Sequence, residues 1–155
     1  MVTFLPWARP INSVADTEEI VSRFRSAYLD NKDFVLAILN VDETLWLGSS
    51  GFHLREGGLD NRSAEIGMWI RKDRSGQGLG TNLLCDLLNW GFTEWPWERL
   101  SWHCNVRNIA SRRTAEKAGM VLEGQLRAYY RQSDGSRDDM LTFAALRGEW
   151  RDPRS

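Results

Sequence analysis

The stretch from Met68 to Thr81 reads MWIRKDRSGQGLGT, and the rest of the chain is organised around it. An apolar strand pattern precedes it, glycines 76, 78 and 80 stand at every second position, and a helical pattern of leucines follows. Glycine lets the backbone adopt positive φ and lets a ligand approach the amides closely. Because the first N–H groups of a helix lack partners and carry the positive end of its dipole, the stretch predicts an anion site. Glycine turns before helices are common, so this motif alone leaves a plain structural turn open.

Length and composition indicate one globular domain over residues 1–155. We expect an irregular segment at 1–10 and a polar tail at 151–155. The chain is 42% hydrophobic and 26% charged, which is enough apolar material for a core. A formal net charge of −1 argues against nucleic acid as a partner, because binding a phosphate backbone needs a basic excess. No apolar run approaches the roughly 18 residues of a membrane span, and the start lacks a signal peptide's basic and apolar regions. We therefore expect a cytoplasmic protein with no membrane partner.

The metal-ligating residue types do not form a metal motif. Cys85 and Cys104 fall within helix and strand patterns and lack a C-x-x-C or metal spacing, which favours reduced, partly buried thiols. His53 and His103 are single strand histidines without partners of suitable spacing, so we assign them no metal or nucleophile role. We expect no metal.

Hydrophobic periodicity predicts a mixed α/β sheet in one layer with helices on its faces. Antiparallel strands precede the glycine turn, which disfavours a Rossmann dinucleotide fold. The predicted elements are a helix from about 13 to 29, strands at 34–39, 45–53 and 62–70, a helix from 80 to about 94, a strand at 100–106, a helix at 110–118, and strands at 120–126 and 140–146.

The tryptophans divide by their place in these patterns. Those on strand or helix patterns are expected in the core, and those in irregular stretches are candidates for lining a surface groove. The first group is Trp46, Trp69, Trp90 and Trp102, and the second is Trp7, Trp95 and Trp97.

Four ordered segments carry a resemblance to a known family: AEIGMWI at 64–70, GQG at 76–78, NIASRRTAEKAGM at 108–120 and EGQLR at 123–127. They resemble the signature segments of the GNAT acetyltransferases, and more narrowly the branch with the ribosomal-protein N-terminal acetyltransferases of the RimJ and RimL type. The segments at 5–7 and 146–150 are also similar to that branch. The resemblance covers nearly the whole chain. It implies a GNAT acyl-CoA N-acyltransferase fold, with a mostly antiparallel central sheet splayed at the coenzyme site.

Two departures from the family pattern stand out. The family has a strand and part of a helix ahead of the segment at 5–7, so its first strand is expected to be missing here, by truncation or by a natural start. Ser75 stands where the family has Gln or Arg, which removes a long donor from the pyrophosphate site. The backbone amides from Gly76 to Gly80 and the neighbouring Arg74 remain available to the anion.

The resemblance implies a site for acetyl-CoA. In the family the glycine turn cradles the pyrophosphate, and the strand ending at Trp69 and Ile70 offers its backbone to the pantetheine arm. Asn108 is expected both to cap a helix and to contact the coenzyme. The implied coenzyme-binding residues are Met68, Trp69, Ile70, Ser75, Gly76, Gln77, Gly78, Leu79, Gly80, Thr81 and Asn108.

The resemblance also implies catalytic roles for Glu65 and Ser111. Glu65 is the candidate base, acting through a water, and its alternative is an exposed strand carboxylate in a salt bridge. Ser111 is expected to donate a hydrogen bond to the departing thiolate, and its alternative is a plain first-turn helix serine. A backbone amide near Ile70 is the expected oxyanion donor.

We therefore expect an acetyl-CoA-dependent N-acetyltransferase, an acyltransferase that moves an acetyl group to a primary amine by direct attack on the thioester. The acceptor is expected to be a protein N-terminal α-amine, with a small-molecule amine as the alternative. A non-catalytic coenzyme A-binding module stays open, and the missing strand and Ser75 favour it slightly. The sequence leaves monomer and homodimer open.

Overall fold

A computed structural model of the chain describes residues 13–55 and 57–155. The expected mixed α/β order is confirmed, while the segment at 1–10, with its resemblance at 5–7, lies outside the described residues. The elements are α1 (Val14–Leu29), β1 (Phe34–Leu39), β2 (Trp46–His53), β3 (Ser63–Ile70), a 3₁₀ turn (Lys72–Arg74), α2 (Leu79–Thr93), β4 (Arg99–Asn105), α3 (Ile109–Lys117), β5 (Val121–Arg131) and β6 (Arg137–Leu146).

The described strands form one six-stranded sheet in the order β1-β2-β3-β4-β6-β5. Neighbouring strands run antiparallel except β3 and β4, which are parallel. A parallel pair needs a crossover connection, and α2 supplies it between β3 and β4. The mostly antiparallel sheet expected from the resemblance is confirmed.

The sheet splays between β3 and β4, as the resemblance implies. Their register begins at Ser63↔Arg99 and ends at Glu65↔Ser101. Beyond that point β3 stays paired with β2 as far as Ile70, and β4 stays paired with β6 as far as Asn105. The two strands therefore diverge toward their C-terminal ends and leave a cleft between residues 66–70 and 102–105.

Helix α2 packs against the sheet through one apolar face. Its buried residues recur at helical spacing, and Gly91 brings the helix close to the strands. A Cβ at Gly91 would lie 2.8 Å from Leu100 Cδ1 and 3.2 Å from the Phe52 ring, so a side chain there would have to displace the core. The buried face comprises Leu84, Cys85, Leu88, Gly91 and Phe92.

An aromatic cluster fills the core beneath β1 and β2, and it corrects one expectation. Trp97 is fully buried (0% exposed), so its assignment to a surface groove is wrong. Its ring stacks on Trp95 at 5.9 Å and also lies near Phe34 and Phe52. The irregular stretch after α2 is thus pinned to the sheet by aromatic contacts with strands far away in sequence.

The expected burial of the other group is only partly correct. Trp102 is buried, but Trp46 is 50% exposed and Trp90 is also exposed. Trp46 makes an edge-to-face contact with Trp69, with ring centroids 4.8 Å apart. Trp46 lies on a strand, as predicted, but it is the first residue of β2 and its side chain stays exposed.

The closing hairpin of β5 and β6 is longer than expected, reaching Arg131 and starting again at Arg137. Its register shifts between Leu126 and Tyr130, where Ala128 adopts a positive φ of 52°. The Asp139 carboxylate accepts the Ala128 N–H at 2.7 Å and holds this bulge. The added length carries mostly exposed polar residues, which is why apolar alternation did not indicate it.

No helix within residues 13–55 and 57–155 has the length and apolar character to span a membrane. Within the same residues, no group of three or more His, Cys, Asp or Glu side chains is arranged to hold a metal ion. Cys85 and Cys104 are buried free thiols.

Candidate active site

The cleft between the diverging strands is the candidate active site. Its walls come from β3 and β4, from the first turn of α3 and from Tyr130 on β5. The structure thereby brings together four of the predicted site residues, which are Glu65, Met68, Asn108 and Ser111. The remaining lining residues are Ile66, Gly67, Trp102, His103, Cys104, Asn105 and Tyr130.

Glu65 lies at the closed end of the cleft, where the β3–β4 register stops. Its side chain is only 12% exposed, and its Oε2 atom lies 3.2 Å from Arg55 Nη1 and 3.5 Å from His103 Nδ1. Burial raises the pKa of Glu65, but the hydrogen bond from His103 and the charge of Arg55 outweigh burial and lower the pKa below its usual range. Glu65 is therefore an ionised carboxylate inside the cleft, and it also has the salt-bridge partner that the alternative interpretation expected.

The contact between His103 and Glu65 was missed by the sequence analysis. The two residues are far apart in the chain, and they meet because β3 and β4 run parallel on either side of the cleft. A parallel register depends on the crossover helix, and sequence spacing alone does not reveal it. His103, a strand histidine that belongs to no motif in the sequence, is thus part of the candidate site.

A second histidine lies on the same face of the sheet. His53 on β2 stands directly opposite Glu65 in the β2–β3 register. Its Nδ1 atom lies 2.9 Å from Asp33 Oδ1 and 3.1 Å from Oδ2, and its ring extends over Gly67. The glycine at position 67 makes room for this ring. Sequence analysis assigned neither Asp33 nor Gly67 a part in this arrangement.

The first turn of α3 forms the opposite wall. Asn108 caps the helix, as predicted, and its Oδ1 atom accepts the Ser111 N–H at 3.1 Å. The Ser111 hydroxyl oxygen accepts the Trp102 Nε1–H at 3.0 Å. Burial raises the pKa of the neighbouring Cys104 thiol, and a hydrogen bond with Ser111 offsets part of that effect. The Ser111 hydroxyl thus links α3 to β4 at the cleft.

Tyr130 contributes a phenol to the same cleft. Burial raises its pKa to about 12, and the charge of Glu65 acts in the same direction. The phenol consequently keeps its proton at neutral pH and is a hydrogen-bond donor.

The glycine turn lies at the N-terminus of α2, which begins at Leu79. Gly76 and Gly78 have φ values of 79° and 81°, and a Cβ at either position would meet no atom within 4 Å. Glycine is therefore required here by backbone conformation rather than by crowding, and the turn faces open space. Ser75 donates its hydroxyl to the Lys72 carbonyl at 2.8 Å, so this side chain is used within the preceding 3₁₀ turn.

The turn and the end of β3 are neighbours. A Cβ at Gly80 would lie 3.4 Å from Ile70 Cδ1 and 3.7 Å from Thr114 Oγ1 on α3, which shows how tightly α2 begins between these elements. Arg74 and Gln77 line a depression beside the turn, together with Leu79. Trp69 turns its ring to Trp46, and Thr81 is partly buried in the first turn of α2.

The two halves of the site suit one elongated ligand. An anion fits the open amides of the glycine turn, since they carry the positive end of the α2 dipole. A narrow chain fits along the diverging edge of β3, and a reactive group at its end would meet the carboxylate, hydroxyl and phenol of the cleft.

Comparison with known proteins identifies the family. The model of the acetyltransferase (GNAT) domain matches residues 1–121. The chain belongs to the GNAT acetyltransferase family and is an acetyl-CoA-dependent N-acetyltransferase.

Relatives and solved structures agree with this assignment. The chain is 33% identical over 143 residues to the putative ribosomal N-acetyltransferase YdaF of Bacillus subtilis (strain 168), covering 89% of this chain and 74% of that protein. RimL, a ribosomal L7/L12 alpha-N-protein acetyltransferase solved with coenzyme A, is 22% identical with a TM-score of 0.80, over 92% of this chain and 77% of that one. A Vibrio cholerae spermidine N-acetyltransferase, SpeG, is 21% identical with a TM-score of 0.74, over 85% and 76%. The two solved structures show the fold.

Proposed function

We propose that this acetyltransferase modifies the α-amino group of a protein N-terminus, in the cytoplasm. The single observation that carries the proposal is Glu65, an ionised carboxylate with a lowered pKa at the closed end of the cleft. Such a carboxylate is a weak base. An α-amine titrates near ~8 and a lysine amine near ~10.4, so the α-amine asks less of it. The names of the relative YdaF and of the neighbour RimL support the same acceptor class.

We further propose how acetyl-CoA is held. Its pyrophosphate lies on the amides from Gly76 to Gly80, and its pantetheine arm follows the splayed edge of β3 from Met68 to Ile70. Ser75 supplies no long donor, but Arg74 and Gln77 flank the turn and reach the same region. The acetyl group then lies between Glu65 and the α3 wall.

The reaction follows from these positions. The amine nitrogen attacks the thioester carbon, and a backbone N–H in the splayed stretch 66–70 of β3 stabilises the oxyanion. The proton lost by the amine passes through a water to Glu65. As the C–S bond breaks, its electron pair moves to sulfur and Ser111 donates a hydrogen bond to it. The net proton ends on the coenzyme thiol, leaving an N-acetyl amide.

A small-molecule amine is the second candidate acceptor. Asp33 and Glu65 each contact a histidine on the same face of the sheet, and their carboxylates would attract a cationic amine. SpeG shares the fold and is named for spermidine.

The test follows free thiol release from acetyl-CoA with the purified chain. Acceptors are peptides with a free α-amine, the same peptides blocked at the α-amine but carrying a lysine, and small amines including spermidine. We expect turnover with the free peptides only. Turnover with spermidine alone would move the function to the second candidate, and coenzyme A binding without any release would favour a non-catalytic binding module.

Two variants test the base. Glu65→Gln keeps the side-chain volume and removes the charge, and we expect kcat to fall about 10²-fold, a typical loss for one acid–base group. Glu123→Gln is the matched control, because that carboxylate pairs with Arg99 at 2.7 Å and does not line the cleft. Unchanged turnover in Glu65→Gln would remove Glu65 from the mechanism.

A further inference from the structure

The hydrogen bond between Trp102 and Ser111 joins β4 to α3 across the wall of the cleft. Trp102 is 5% exposed, its Nε1–H lies 3.0 Å from Ser111 Oγ, and both residues line the cleft. An indole N–H is a donor and never an acceptor, whereas a hydroxyl does both. Ser111 Oγ is therefore the acceptor in this bond.

This bond decides what the Ser111 proton does. The Asn108 side chain accepts the backbone N–H of Ser111 and leaves its hydroxyl alone. A hydroxyl has two lone pairs and one O–H, and with Trp102 donating to one of the lone pairs the O–H points away from the indole. The Ser111 O–H is thus available to donate into the cleft, which Ser111 lines.

We propose that Trp102 is a positioning residue for acetyl transfer, whose indole N–H fixes the Ser111 hydroxyl as a hydrogen-bond donor to the sulfur that leaves the thioester. The inference rests on the proposed function, which gives Ser111 that role. When the new N–C bond has formed and the C–S bond breaks, the electron pair develops on the coenzyme sulfur. A donor that is already in position stabilises this charge without reorganisation. A hydroxyl that accepts a hydrogen bond from an N–H is also polarised, so it donates its own proton more strongly.

A purely structural role for Trp102 makes a different prediction. In that case the indole only fills the core, and losing its N–H would loosen α3 without any specific effect on the sulfur. Trp97 provides the matched control. It is fully buried, and its Nε1 atom has no hydrogen-bond partner among residues 13–55 and 57–155.

The experiment compares Trp102→Phe, Ser111→Ala, the double variant and Trp97→Phe. We expect Trp102→Phe to lower kcat about two- to tenfold, the factor for one lost hydrogen bond, with KM for acetyl-CoA unchanged. In the Ser111→Ala background, Trp102→Phe should cause no further loss. Trp97→Phe should retain the parent kcat.

A second measurement needs no acceptor amine. The thiol of bound coenzyme A is titrated by its thiolate ultraviolet absorbance, and the complex with dethio-coenzyme A is subtracted to remove Cys85 and Cys104. We expect both Trp102→Phe and Ser111→Ala to raise the pKa of the bound thiol, and Trp97→Phe to leave it unchanged.

Three outcomes would overturn the role of Trp102. They are equal losses from Trp102→Phe with and without Ser111, an equal loss in Trp97→Phe, and a thiol titration that Trp102→Phe does not move. If the parent acetylates peptide α-amines, such a result leaves the proposed function standing. If the parent binds coenzyme A but acetylates nothing, the proposed function fails and the titration still decides Trp102. A parent that binds no coenzyme A overturns both.

Discussion

The imidazole of His53 occupies the space that a side chain at Gly67 would need, since a Cβ there would lie 2.6 Å from its Nε2 atom. Gly67→Ala should therefore push the ring away from Asp33 and destabilise the fold by about 1–3 kcal/mol, as overpacking does. Denaturant unfolding measures this loss. The double variant Gly67→Ala with His53→Ala should regain stability relative to Gly67→Ala alone, because the clash is gone. A double variant less stable than Gly67→Ala would contradict the contact.

Glu65 should make stability depend on acid pH. Its pKa in the folded chain is lowered, chiefly by His103 and Arg55 acting against burial. The stabilisation is therefore present above the unfolded carboxyl value of about 4.3 and is lost as pH falls through the lower folded value. Urea midpoints of the parent should fall more steeply over this acid window than those of Glu65→Gln. Parallel pH profiles for the two proteins would show that the carboxylate does not act this way.

Activity should instead follow the acceptor amine. Because Glu65 is already ionised at neutral pH, the rise of kcat/KM with pH should report deprotonation of the α-amine near ~8. Replacing the peptide acceptor by one whose amine titrates lower should shift the profile by the same amount. A profile that stays fixed when the acceptor changes would place the controlling group on the enzyme.

The positive φ of Gly78 predicts a specific loss of coenzyme affinity. Gly78→Ala should strain the turn by about 1–2 kcal/mol and weaken coenzyme A binding in calorimetry, while the KM for the amine stays the same. Gly135→Ala is matched for backbone strain, because Gly135 has a φ of 86° and equally open surroundings in the β5–β6 hairpin. Equal coenzyme affinity in both variants would argue against the turn as the anion site.

The cap of α3 should affect stability and catalysis together. Asn108→Ala removes the acceptor of the Ser111 N–H and should cost about 1 kcal/mol, with a fall in kcat because Ser111 moves. Ser13→Ala removes the equivalent cap of α1, where the hydroxyl accepts the Asp16 N–H at 3.1 Å. It should cost similar stability and leave kcat unchanged. Loss of kcat in Ser13→Ala would show that general loosening, not the Ser111 position, lowers activity.

Local signals carried much of the fold. The start of α1, the cap at Asn108 and the glycine turn before α2 depend on a few neighbouring residues, and the sequence predicted all three. Trp97 was misplaced because its burial depends on rings brought from β1 and β2. The local sequence of an irregular stretch does not indicate contacts with residues so far away in the chain.

The candidate site also has parts that the sequence predicted and parts that it did not. The glycine turn at the start of α2 is continuous in sequence and was predicted from it, and the roles expected of Glu65 and Ser111 came with the resemblance. The pairing of Glu65 with His103, and of Ser111 with Trp102, depends on how β3, β4 and α3 meet in space. These contacts fix protonation and hydrogen-bond direction, so the chemistry was less predictable than the architecture.

In the part of the chain that the structure describes, the backbone ladder between β3 and β4 runs only from Ser63↔Arg99 to Glu65↔Ser101. The sheet is consequently two three-stranded halves joined at one end, and the candidate cleft begins where the ladder between them stops. We expect an extended arm bound in that cleft to take the place of the ladder there and to couple the two halves. Ligand binding should then make the sheet more rigid. Slower amide hydrogen exchange in β3 and β4 would report that the ligand is bound.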